Sequence, residues 1–385
     1  MSSFYNRLQD NDLKSVVSIV HCHDYEQNRI DAAIDRSIGN IGGLDQFIKR
    51  GTRVHIKPNL LTAKSPEKAA TTHPLVVKSI VNRIIENGGE VTIGDSPAGI
   101  SRPIEEYWRV TGMDDVARKT GAKLVKLEKK GVVERSVNGK SYFIASAVAE
   151  ADVVINICKL KTHNLTLFTG AIKNMFGVIP GFKKSEYHKQ APKVEKFSEI
   201  IVDVFSAVRP ELNIMDAVEI MEGNGPSAGK PRQLGLICAS KDAVALDAVA
   251  AKIVGFNDGE ILTTEIAYQR GLGEKVFDRI NVLGESLESF NDLHVSLPTN
   301  RFQSYIPASL FKVMGKLVWV RPKPDMDRCK RCGICIKNCP TQAMIPQEGF
   351  PRIDYKKCIN CFCCDEVCPH DAIDQDMSWL TKLFR

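Results

Sequence analysis

No stretch of this 385-residue chain comes near the roughly 18 consecutive apolar residues that a membrane-spanning helix needs. Its best runs, ADVVINICKL and DAVALDAVAAKIVGF, are broken by polar residues and read as buried elements of a globular fold. The first 20 residues carry charges of both signs and no apolar core, so a cytoplasmic protein without a secretory leader is expected. Gly-x-Gly-x-x-Gly fingerprints and Walker-type loops are also missing, which removes the usual grounds for a nucleotide, flavin or nicotinamide site. Charge of one sign does not dominate: 52 basic and 46 acidic residues leave +6, with no basic stripe interleaved with aromatics. Neither nucleic acid nor a membrane is therefore an expected partner.

What the chain does concentrate is cysteine. Nine of its 12 cysteines fall between residues 329 and 368, in two runs whose first cysteines are 29 residues apart. Cys329, Cys332, Cys335 and Cys339 precede Pro340; Cys358, Cys361, Cys364 and Cys368 precede Pro369. Both runs are C-x2-C-x2-C-x3-C-P. A zinc site also uses C-x2-C pairs, but two identical runs closed by Cys-Pro favour iron–sulfur ligation. The spacing is not that of a secreted disulfide framework. The duplication resembles the bacterial two-cluster ferredoxin domain over about residues 325–376. That resemblance implies two [4Fe-4S] clusters, one held by Cys329, Cys332, Cys335 and Cys368, the other by Cys358, Cys361, Cys364 and Cys339. Gly333, Ala343 and Ala372 would leave room beside them. Cys363 is a ninth thiol with no place in the pattern, read as a bystander packed near a cluster.

Upstream, apolar β-rich segments alternate with helical ones: SVVSIVHC, RVHIKP, EVTIGDS, AKLVKL, DVVINICKL, LNIMDAV and LGLICAS are the expected strands. Helices are expected at PLVVKSIVNRIIENGG, FSEIIVDVFSAV, DAVALDAVAAKIVG and RFQSYIPASLFKVMGKLVWV. This pattern predicts an α/β fold, a mostly parallel sheet covered by helices, with a small C-terminal α+β ferredoxin-like domain. Residues 1–320 form the expected α/β domain. Residues 321–385 supply a linker (RPKPDMDR), the ferredoxin domain and a C-terminal tail.

In parallel α/β folds ligands gather at the carboxyl ends of strands, and here those exits carry charge. Lys57 and Asn59 follow one strand, Asp95 another, Lys159, Lys161 and His163 a third, and Asp216 a fourth. Strand alternation would put Lys159, Lys161 and His163 on one face, where an anion would relieve their repulsion. TGAIKNMFG reads as a short helix whose N-terminal amides, with Lys173 and Asn174, suit a carboxylate or phosphate. The glycine-rich loop MEGNGPSAG offers Glu222 as an acid/base and Asn224 as a ligand group. Asp247, alone among apolar residues, is expected to pair with a lysine or a backbone amide. Lys161, His163 and Glu222 are the expected catalytic groups, the others ligand-binding.

The series IKPNLL, TTHP, GDSPAG, KTHNLTLFTGAIKN, MEGNGPSAGKP and DAVALDAVA resembles the family called domain of unknown function 362, over roughly residues 15–285. The resemblance implies an iron–sulfur protein of α/β kind and no particular reaction. The expected function is electron transfer through two [4Fe-4S] clusters from a redox partner protein to a small anionic substrate. The alternatives are an electron-transfer protein or a metalloenzyme accessory whose large domain binds without catalysis.

Overall fold

The computed structural model describes residues 14–97, 99, 102–129, 131–181, 183–301 and 319–383. The helix expected over residues 301–320 lies almost wholly outside them. In chain order the strands are β1 (Ser15–His21), β2 (Arg53–Pro58), β3 (Glu90–Ile93), β4 (Lys123–Leu124), β5 (Val132–Val137), β6 (Lys140–Ala145), β7 (Val153–His163), β8 (Leu167–Thr169), β9 (Leu212–Glu222), β10 (Lys230–Ser240) and β11 (Ile280–Gly284). A nine-stranded sheet runs β11-β1-β10-β9-β7-β2-β3-β4, with β8 folded onto the end of β7. The pairs β11–β1, β9–β7, β7–β2, β2–β3 and β3–β4 are parallel. β10 runs antiparallel to both of its neighbours, and β8 antiparallel to β7. The sheet is thus mostly parallel, as the strand–helix alternation predicts.

Helices cover both faces, which is why the central strands are apolar on both sides. Along β7, Val153, Ile155 and Ile157 join one core with the helices Gln27–Asn40 and Pro74–Glu86. Val154, Cys158 and Leu160 point the other way, toward the helices Val194–Ala207 and Ala243–Val254. Pro74 opens its helix at a position where no intrahelical N–H is needed, with the His73 ring accepting the Leu75 N–H.

The C-terminal unit contains β12 (Val320–Pro324), β13 (Met344–Gln347), β14 (Phe350–Ile353) and β15 (Ile373–Met377), plus short helices Ile334–Lys337 and Cys363–Glu366. The segment expected to be a linker is in part β12, paired antiparallel with β15. Two prolines fit because Pro322 and Pro324 are two residues apart, and a two-stranded ribbon is all edge, where alternate N–H groups face outward. The closing WLTKLFR forms a short helix, Trp379–Leu383.

Candidate functional site

The eight motif cysteines enclose two cavities. Cys329, Cys332, Cys335 and Cys368 surround one of about 350 Å³, which Gly333 and Ala372 also line. Cys339, Cys358, Cys361 and Cys364 surround the other, of about 330 Å³, together with Ala343 and Phe362. In each set three cysteines come from one run and the fourth from the other. The runs share backbone geometry: Arg331 and Asn360 are left-handed, as are Gly333 and Phe362 after the second cysteine of each run. The cysteines ring a space instead of converging on a point, and no three His, Cys, Asp or Glu of the described residues meet closely enough for a single ion. Such a donor set fits a cubane cluster better than one tetrahedral metal. Backbone amides point at the sulfurs, Ala372 N at Cys368 Sγ (3.3 Å) and Arg331 N at Cys329 Sγ (3.5 Å).

The second cavity abuts the carboxyl end of the sheet, where a larger pocket of about 740 Å³, including its open mouth, collects cations. Lys57 from β2, Lys161 from β7, Lys173 from the helix Ala171–Asn174 and Lys184 from the helix Lys183–Gln190 all line it. Its opposite wall comes from the C-terminal unit and includes Cys363 and Glu366, which flank Cys364 of the second cysteine set. A chain of hydrogen bonds fixes the floor. Lys161 Nζ donates to Asn59 Oδ1 (2.9 Å) and the Ala70 carbonyl (2.7 Å), and Asn59 Nδ2 donates to Asn174 Oδ1 (2.9 Å). Lys57 lies 2.8 Å from Asp95 and 3.3 Å from Asn174 Oδ1.

The cations are not equally neutralised. Lys57 has Asp95, and Lys184 donates to the Ser96 and Pro97 carbonyls. Lys161 has only neutral acceptors, and Lys173 has no hydrogen-bond partner among the described residues. Burial, with Lys173 nearby, pushes Lys161 well below the usual lysine range. Burial brings Lys184 down to about 8 and His188, stacked on Phe197, down to about 4. Although burial opposes it, the bond from His163 and the charge of Lys173 hold Glu366 at about 2.

Lys57, Asn59, Asp95, Lys161, Lys173 and Asn174 are thus brought together as sequence position suggests. The other expected site residues lie outside the pocket lining. Lys159, two residues before Lys161, donates instead to Asp216 (3.0 Å) and to the Tyr25 hydroxyl (2.7 Å), in a buried network beneath the His73 ring. The alternation along β7 holds, since Cys158 and Leu160 both face the other core, but β9 advances from Asp216 to Met221 between the partners of Lys159 and Lys161, so the two lysines meet different neighbours. His163 is fully buried, and its Nδ1 accepts the Leu165 N–H (2.9 Å). The proton therefore sits on Nε2, 3.1 Å from Glu366, so the ring anchors that carboxylate to the sheet end. Glu222 accepts from Ser296 N (2.9 Å) and faces Arg232; Asn224 Oδ1 accepts from the Thr299 backbone N–H (3.1 Å). The first two amides of the short helix are not free for a ligand: Asp247 accepts from Ala171 N (2.6 Å) and Ile172 N (3.0 Å), the backbone pairing expected of it. Sequence reasoning missed Lys184, His188 and Ser96, and it did not foresee that Cys363 faces the pocket. In KKSEYHKQ the first two read as an ordinary solvated helix.

Contacts between the two units are polar and specific. Lys64 pairs with Asp371, Asn164 Nδ2 donates to Asp365 (3.1 Å), and Thr299 to Gln375 (2.6 Å). Gly99, left-handed, passes so close to Asn338 and Val367 that a Cβ would collide with both.

The family described as "Domain of unknown function (DUF362)" matches residues 54–252, and "4Fe-4S dicluster domain" matches residues 321–369. The chain is 35% identical over 259 residues to thylakoid-associated protein sll1697 of Synechocystis sp., spanning 67% of this chain and 79% of that one. Among solved structures, the lactate racemase apoprotein of Thermoanaerobacterium thermosaccharolyticum aligns with a TM-score of 0.39 at 14% identity, over 61% of this chain and 58% of that one. A Thermotoga maritima protein aligns with a TM-score of 0.37 at 13% identity, over 65% of this chain and 60% of its own.

Proposed function

The chain belongs to the DUF362 family and carries a 4Fe-4S dicluster domain, and from that premise we propose that it is a redox protein acting on a small anion held at the sheet's carboxyl end. Cys329, Cys332, Cys335 and Cys368 would hold one cluster, and Cys339, Cys358, Cys361 and Cys364 the other; when bound, these supply electrons one at a time. The observation that carries the reading is the shared wall. Cys363 and Glu366, on either side of Cys364, line the same pocket as Lys161 and Lys173.

The chain's own residues divide the remaining work. Lys161 and Lys173, which lack acidic partners of their own except for the nearby Glu366, attract the anion. Asn59 and Asn174 orient Lys161 and Lys57 through their hydrogen-bond chain. Lys184 Nζ, titrating at about 8, keeps its proton at neutral pH and releases it at small cost, which suits a proton donor. His163 holds Glu366 in place, and the C-terminal unit forms one wall of the pocket. We propose the cytoplasm as the location of this reaction. No described helix is long and apolar enough to cross a membrane. The relative's description as thylakoid-associated makes membrane-surface attachment the location to compare by fractionation.

Anaerobic purification of the full chain followed by native mass spectrometry tests the proposal. Wild type is expected to retain a small anion that Lys161→Met and Lys173→Met lose at unchanged iron content. If wild type binds none, and both variants pass electrons to acceptors at the wild-type rate, the large domain only binds a partner and the enzyme reading fails.

A further inference from the structure

The two cysteine cavities sit in different surroundings. In the set of Cys339, Cys358, Cys361 and Cys364 no cysteine is exposed, and its flank is the pocket wall. In the set of Cys329, Cys332, Cys335 and Cys368, Cys332 is exposed. Around it the surface is basic. Lys330 lines the cavity, Arg331 stacks on Phe350 with its guanidinium 4.0 Å from the ring centre, and Lys337 ends the helix that carries Cys335. All three are exposed and have no ion pair among the described residues. Arg352 is exposed too and lies across the β13–β14 hairpin from Ile345, an exposed apolar side chain. Asp327 and Glu348 are the exposed acids of this region without an ion pair; Asp325 and Asp374 are taken up by Arg328.

We infer that this face docks a small acidic protein carrying a one-electron iron–sulfur or flavin group, and that electrons enter at the exposed cysteine set and leave by the set at the pocket. Cys329, Cys332, Cys335 and Cys368 would hold the cluster that accepts one electron as the carrier gives up one; such a transfer would form no bond and move no proton. A nucleic acid or an anionic membrane would also meet positive charge here. The carrier is favoured because Lys330 and Arg331 adjoin an exposed cysteine of the motif in sequence, and an exposed apolar side chain, Ile345, lies opposite a further basic residue on the hairpin, as at protein interfaces. The inference rests on the assignment of Cys332 as a cluster ligand but not on the pocket's substrate.

The test uses full-length, anaerobically reconstituted protein and an acidic bacterial two-cluster ferredoxin as the probe. Binding is measured between the oxidised partners at several salt concentrations, alongside the rate of electron transfer from the reduced ferredoxin. Lys330→Glu/Arg331→Glu/Lys337→Glu is expected to weaken binding and slow transfer by about tenfold or more, and to flatten the salt dependence, at wild-type iron content. Lys356→Glu/Lys357→Glu, beside the second set, should change either by less than about twofold. Ferredoxin binding that ignores both salt and the triple change overturns the inference. So does binding of duplex DNA or anionic vesicles, but not ferredoxin, through the same three residues. Low iron in wild type would instead strike the ligand assignment itself.

Discussion

Lys161 and Lys159 leave the same strand two residues apart and meet different partners. Lys159 reaches a carboxylate; Lys161 reaches an amide and a carbonyl oxygen, and its charge stays uncompensated. Burying such an ammonium costs stability, so Lys161→Met, similar in length and apolar, should leave the melting temperature unchanged or raise it by a few degrees while anion binding is lost. Differential scanning calorimetry beside a binding assay checks this, and a large loss of stability would make Lys161 structural. Cys363 differs from the other eight cysteines of the runs. Its thiol is buried, belongs to neither cysteine set and lines the pocket, and the Cys361 sulfur beside it, together with burial, pushes it well above the usual thiol range. Cys363→Ala should therefore leave iron and acid-labile sulfide at the wild-type level. Iron and sulfide analysis reads it, and a loss of about half the iron would make Cys363 a ligand. Sequence pattern alone made Cys363 a spare; its pocket-facing role comes from the turn at Phe362, which stands where the first run has Gly333.

Among elements, the short helix Ala171–Asn174 shows how an attractive motif can be occupied from within. A Cβ at Gly170 would collide with the Asp247 carboxylate, so that glycine is what lets the long helix Ala243–Val254 cap the short one. Burial raises the Asp247 carboxyl to about 7, despite its two amide bonds. A carboxyl raised in the folded state stabilises the fold fully below its unfolded value of about 4, and that stability is lost as pH rises toward 7. Wild type should accordingly be less stable at pH 8 than at pH 5 through this group. Asp247→Asn should remove that slope and cost about 1 kcal/mol at low pH, because one amide loses its acceptor. Thermal melts across pH 5 to 8 decide it; an unchanged slope would mean Asp247 stays ionised. Strands were the easiest elements to read, since alternating apolar positions face a core on both sides of β7. β12 escaped because two prolines argue against a strand wherever both edges are paired, and here one edge is free.

For the whole molecule the consequence is the crossing of the two cysteine runs and their docking on the sheet. Removing Cys368 should disable the cluster of the first run, not its own. Cys368→Ala is expected to retain about four of eight iron atoms, and the remaining signal should disappear with Cys358→Ala but survive Cys329→Ala. Iron and acid-labile sulfide analysis with spectroscopy measures this, and the opposite pairing of survivals would refute the crossed assignment.

The duplicated C-x2-C-x2-C-x3-C-P runs by themselves determined that this chain carries iron–sulfur ligands, because thiolates at that spacing have few other uses. The alternation of apolar strands and helices determined the α/β sheet and the edge at which charged exits collect, since chain direction places every parallel strand's end there. The tertiary structure alone decided which of those exits share a pocket. Partners far along the chain, Asp216 for Lys159, Asp247 for the short helix and Glu366 for His163, leave no local trace in sequence. It also decided that the cysteine unit sits on the sheet end. That placement depends on contacts such as Lys64 with Asp371 and Asn164 with Asp365, whose residues look like ordinary surface positions until the two units meet.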